Sequence, residues 1–117
     1  MRRAVATLAL ACLAAGCALP ALELQKDGEI ETEFRSPNPV QSALACIQRT
    51  APQRDHRLMA QTQMSGAEGV ALIFVGGYLW GVAVVTPMDA GSRITVRVQS
   101  ILVGFERDLV ASAARGC

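Results

Sequence analysis

The chain has 117 residues, 51% of them hydrophobic, which allows one domain at most. Eleven basic residues face ten acidic ones, a net charge of +1. A balance this close to neutral excludes the dense phosphate contacts on which nucleic-acid binding runs, so no nucleic-acid partner is expected.

Met1-Arg2-Arg3 is a short positive segment, and Ala4 to Ala15 is an apolar run. At about twelve residues the run has the length of an export signal's hydrophobic region, short of the roughly twenty that span a bilayer. It ends in Leu13-Ala14-Ala15-Gly16-Cys17. This resembles the lipobox of bacterial lipoproteins, in which small residues lead into a Cys. Ala14 stands where that family prefers Leu, with Leu13 one step earlier. The resemblance implies a signal peptide over residues 1–16, cleavage after Gly16 and lipidation of Cys17 with palmitate-type acyl chains. Two or more such chains anchor a protein stably where one does not. Residues 17–28 then read as the lipidated Cys and a tether, and residues 29–117 as a single domain. Ala18, rather than Asp, follows the Cys; by the sorting rules of enterobacterial lipoproteins this implies the outer membrane, facing the periplasm. The alternative is an ordinary secretory signal cleaved near Ala18.

In the domain, Glu29 to Phe34 alternates strictly, with Ile30, Thr32 and Phe34 on one face and three Glu on the other, the pattern of an edge strand. Asn38 as N-cap and Pro39 at the first helical position predict a helix that Pro52 ends. Val40, Ala43, Leu44 and Ile47 share one stripe of it, with Cys46 at the stripe's edge. From Leu58 the period becomes two. Strands are predicted from Leu58 to Met64, Val70 to Val75, Tyr78 to Thr86 and Ser92 to Gln99, with Gly76-Gly77 as a hairpin turn. Ser100 then caps a second helix with Ile101, Leu102, Phe105, Leu109 and Ala113 as its apolar stripe. The order of elements predicts an α+β fold, an antiparallel meander of four or so strands with two helices packed on one face.

Counting back from the turns gives a register and two sheet faces. Val70, Leu72, Phe74, Leu79, Gly81, Ala83, Val85, Ile94, Val96 and Val98 carry no charge and read as the face under the helices. Tyr78, Trp80 and Arg97 fall on the other face with Ala71, Ile73, Val75, Val82 and Val84, and are the expected binding residues, since Trp, Tyr and Arg are enriched in hot spots. Two alternatives stay open: the segment from Ala21 to Phe34 folds over this face, or the sheet curls and Trp80 is core.

Cys46 and Cys117 form an even pair once Cys12 leaves with the leader and Cys17 is acylated, and in an oxidising compartment they predict a disulfide. No catalytic, cofactor or metal motif stands out. His56 is the only His and sits in the polar loop Arg54-Asp55-His56-Arg57 without a nucleophile. Glu29, Glu31 and Glu33 are a weak cation-attracting row. The sequence therefore points to a non-enzymatic, lipid-anchored envelope protein that binds another envelope protein through its exposed sheet face. The alternative is a module for a small molecule or lipid, with a pocket between sheet and helices.

Overall fold

A computed structural model describes residues 23–117, so the segment with Cys12 and Cys17 lies outside the described residues. The fold is a five-stranded antiparallel sheet with two helices on one face and a short helical turn against the other. The elements are β1 (Glu29–Ser36), α1 (Val40–Arg54), β2 (Leu58–Ser65), β3 (Glu68–Val75), β4 (Tyr78–Pro87), β5 (Ser92–Val98) and α2 (Gly104–Ser112). The strand order is β1-β5-β4-β3-β2, a four-strand meander with β1 added beside β5. A helical turn at residues 23–27 precedes β1.

The 3.6-residue stripe of α1 folds as its spacing dictates. Val40, Ala43, Leu44, Ile47 and Ala51 are buried, and the helix lies over β2, β3 and β4. Its boundaries shift a little from the expected ones. Pro39, not Asn38, is the N-cap residue, and the Asn38 side-chain NH2 donates instead to the carbonyl oxygen of Cys117, 2.6 Å away. Pro52 does not end the helix, which runs on to Arg54. Helix α2 starts later than expected, at Gly104, where Glu106 accepts a 2.9 Å hydrogen bond from the N–H of Val103. The later start turns the helix. Val110 and Ala111 are its buried residues, with Ala113 and Ala114 buried just past its end, whereas Ile101 and Phe105 are 80% and 76% exposed.

Both helices press closely on the sheet. A methyl group added at Gly69 would collide with Leu44 of α1, and one at Gly81 would lie 2.6 Å from Val110 of α2. One continuous core results, from Ile47 through Ile73, Val85, Ile94 and Val96 to Val110.

Two β-bulges correct the expected faces. Ile73 pairs with Gly81 and Phe74 with Leu79, so Trp80 is an extra residue in β4. The slip leaves Gly81, Ala83 and Val85 facing the helices as expected but turns β3 over. Ala71, Ile73 and Val75 face the helices, while Val70, Leu72 and Phe74 lie on the opposite face. In β1, Ile30 pairs with Arg97 and Thr32 with Val96, with Glu31 as the extra residue. Thr32 and Phe34 accordingly turn to the helix face, and Ile30 does not join them. The three Glu are not one row. Glu29 and Glu31 meet Arg107 of α2 at 2.6 and 3.7 Å, and Glu33 meets Arg93 at 3.6 Å.

The disulfide joins Cys46 in α1 to Cys117, with 5.6 Å between the Cα atoms. Around Cys117 the chain is tied by polar contacts. Its carbonyl oxygen accepts from Ser36 Oγ and Asn38 Nδ2, and Ser92 Oγ donates to the Asn38 carbonyl at 2.7 Å. Ser36 and Ser92 are buried, and these bonds satisfy their hydroxyls.

Candidate functional surface

The strands have two ends, and the expected binding residues belong to one of them. β1 begins and β5 finishes there, with Glu29 opposite Val98; β4 begins and β3 finishes there, with Val75 opposite Tyr78. This end, where residues 23–28 lead the chain into β1, is the tether end. Tyr78 is 75% exposed at the hairpin. Trp80, two residues on, is not an exposed sheet-face residue: the bulge turns it toward the helix side, where it is half-buried against the main core.

Arg97 lies on the opposite face, paired with Val82 and Ile30, so the structure does not bring Trp80 and Arg97 together. The Arg97 guanidinium instead donates to the carbonyl oxygen of Gly28 at 2.8 Å. Its work is to fasten the incoming chain to the sheet. Leu24, in the helical turn, is 7% exposed and packs with Val70 and Val82 on this same face. Residues 24–28 are thus part of the folded unit and cover the centre of the face that was expected to be open. Leu72, Leu79 and Val84 pack around them, half-buried.

The exposed apolar surface lies next to that centre. Ile101 is 80%, Val103 52% and Phe105 76% exposed, in the segment that links β5 to the first turn of α2. Backbone bonding fixes where that segment lies: the Gln99 N–H donates to the Trp80 carbonyl at 3.1 Å and its side-chain amide to the Leu79 carbonyl at 2.6 Å. The Arg107 side chain braces the same segment through the carbonyls of Ser100 and Leu102. An open cleft of about 310 Å³ separates residues Glu23, Leu24, Asp27 and Gly28 from Gln99, Ser100 and Ile101. The helix turn Val103–Phe105, the Ile101 loop and the Tyr78 hairpin therefore all lie at the end of the sheet where the chain enters the domain. The pattern of apolar residues at 101, 102, 105 and 109 concealed this surface, since it imitates a helix stripe.

No family model, curated protein or solved structure matches the chain. Its chemistry has to be read from its own side chains. Among the described residues there is no group of three or more His, Cys, Asp or Glu placed to hold a metal ion. His56 is 92% exposed, 3.7 Å from the Asp55 carboxylate. Arg57 grips that carboxylate through its backbone N–H at 2.8 Å and its guanidinium at 3.0 and 3.1 Å, which holds the Asp55 pKa down at about 2. The pair closes the loop before β2. Among the described residues no helix is long and apolar enough to cross a membrane.

Proposed function

We propose that this protein is a lipid-anchored component of the cell envelope, without catalytic activity of its own, that binds another envelope protein through the apolar surface at its tether end. Cys17 carries the lipid, and five residues separate it from Glu23. Extended, they span at most roughly 20 Å. The end that exposes Tyr78, Ile101, Val103 and Phe105 is thereby kept near the bilayer, where a partner in the same membrane meets it. The observation that carries the reading is this cluster of large apolar side chains, which nothing in the fold requires to be outside. Single exposed apolar residues are ordinary; several within one short segment and its neighbouring hairpin mark a contact surface. Leu24 and Gly28 occupy the centre of the sheet face, which leaves the tether end as the binding surface. A ligand pocket between sheet and helices gains no support from the packing, since Leu44 and Val110 sit directly against Gly69 and Gly81.

Two measurements test the proposal. Intact mass of the chain from bacterial membranes should equal residues 17–117 plus acyl chains, less two hydrogens for the disulfide. An unacylated chain beginning near Ala18 removes the anchor from the reading. A photo-crosslinking side chain at position 105, placed in the chain in living cells, should capture one protein in good yield, and the same group at Gln63, at the far end of the sheet, should not. Capture of lipid alone, or equal capture at both positions, refutes the protein partner.

A further inference from the structure

The sheet has one edge that is not defended. Strand β2 pairs only with β3, and its outer side carries no strand among the described residues. Its sequence, Leu58-Met59-Ala60-Gln61-Thr62-Gln63-Met64-Ser65, contains no charge, no Pro and no Gly, and all eight residues pair with β3 without a bulge. Long, flat, uncharged edges are templates for strand addition, and proteins usually break them with charges, Pro or bulges. The opposite edge, β1, has such devices: Glu29, Glu31, Glu33 and Arg35, and a bulge at Glu31.

The hydrogen-bond alternation shows which groups of β2 are free. Gly76 N–H donates to the Arg57 carbonyl at 3.0 Å, and the register Leu58↔Val75 continues to Ser65↔Glu68. Alternate residues bond inward, so Met59, Gln61 and Gln63 are engaged with β3. The N–H and C=O groups of Leu58, Ala60, Thr62 and Met64 point to the outer edge.

We infer that a second copy of this chain pairs with that edge, β2 against β2 and antiparallel, about a two-fold axis perpendicular to the sheet. Such an axis brings residues of one face together, Ala60 against Thr62 of the other copy, Gln61 against Gln61 and Met59 against Gln63. No like charges meet at any of these positions. The flank of α1 above the edge fits as well. Thr62 Oγ1 donates to Gln48 Oε1 at 3.0 Å, which places Gln48 there, and the residues in line with it at helical spacing, Ala45 and Pro52, are exposed and uncharged. The pairing also covers Met59 and Met64, which are 57% and 45% exposed. It is closed: both free β2 edges are used once, and the charged β1 strands become the outer edges of a ten-stranded sheet. Antiparallel pairing sets the two tether ends at opposite ends of that sheet, so two lipid anchors reach one bilayer when the sheet lies along it.

The test is sedimentation equilibrium of the chain as purified from membranes in nonionic detergent, with two variants. Thr62→Pro removes an outward N–H and no bond to β3, so it blocks pairing and spares the monomer's sheet. Gln61→Lys sets like charges beside each other across the axis. The native chain should sediment as a dimer, and each variant should raise the dimer dissociation constant on the order of tenfold or more. A monomeric native chain overturns the inference, and so does a dimer that a folded Thr62→Pro chain forms equally well. If circular dichroism shows Thr62→Pro unfolded, Gln61→Lys decides: an unchanged dimer overturns the inference. The partner-capture experiment at position 105 reads a different surface, so either result stands without the other.

Discussion

The two ends of the sheet are built on opposite principles. At the end where β1 finishes and β5 begins, polar groups are buried and fully used: Ser36 and Ser92 are inside, Asn38 bridges to the last residue, and the disulfide joins that residue to α1. At the tether end large apolar side chains are outside, from Tyr78 to Phe105. Burying a hydroxyl or an amide is tolerable only when its hydrogen bonds are made, so the first end can hold essentially one conformation. The second end leaves apolar area in water, which costs free energy until something covers it. One end is held by satisfied polar groups and a disulfide, and the other leaves apolar area exposed.

The largest break of this comparison is removal of the disulfide. Cys46 and Cys117 are 71 residues apart in sequence. Closing a loop of that size lowers the unfolded chain's entropy by an amount worth about 4 kcal/mol, as an upper figure. Replacing both Cys by Ser should lower the unfolding free energy in urea by up to that amount. Capture at position 105 in the chain that remains folded should not change. A loss of capture in proportion to the loss of stability would mean that the two ends are not separate in function.

A pair of glycine substitutions sharpens the contrast. Gly91 has φ +88°, and a Cβ there would run into the carbonyl oxygen of Ser36 and the backbone of Pro37. Gly76, in the hairpin at the tether end, has φ +59° with open space around it. Gly76→Ala pays only the cost of a left-handed residue, about 1 kcal/mol. Gly91→Ala adds a steric clash with buried backbone and should cost roughly 3 kcal/mol or more. Thermal unfolding of the two variants measures the difference. Equal losses would show that the Ser36 end yields as readily as the hairpin does.

Much of this architecture is legible in the sequence, and the illegible parts share a cause. The α1 stripe stands out because Gln41, Ser42, Gln48 and Arg49 alternate with its apolar residues at helical spacing. The hairpin at Gly76-Gly77 and the Cys46–Cys117 pair are equally open to reading. The faces of β3 are not, because Val70 to Val75 is apolar at every position and gives no alternation against which a bulge could show. Trp80 then falls on the wrong face by a single inserted residue. The same ambiguity hides the exposed apolar surface: Ile101 and Phe105 are in phase with Leu102 and Leu109, and only the spacing of Glu106 three residues after Val103 signals a helix that starts later. Nothing local announces that Arg97 fastens Gly28, since the two are 69 residues apart.

The smallest expected effect lies at the tether end, in the loop before β2. Three hydrogen bonds from Arg57 hold the Asp55 carboxylate ionised, with its pKa at about 2 against an ordinary 3.8. A depressed carboxyl pKa means that the folded state favours the charged form. Its stabilising contribution is therefore complete above pH 3.8 and fades as the pH falls toward about 2. Because the pair is exposed to water, the effect on global unfolding should be slight, and the clear readout is local. Carboxyl NMR titration should place the Asp55 midpoint at about 2, below its ordinary 3.8. Arg57→Gln removes the guanidinium bonds and leaves the backbone donor, so the midpoint should move only part of the way back to 3.8. A midpoint that stays near 2 in that variant would assign the shift to the backbone N–H alone. The loop would then owe its closure to the bond between the Arg57 N–H and the Asp55 carboxylate, with the guanidinium dispensable.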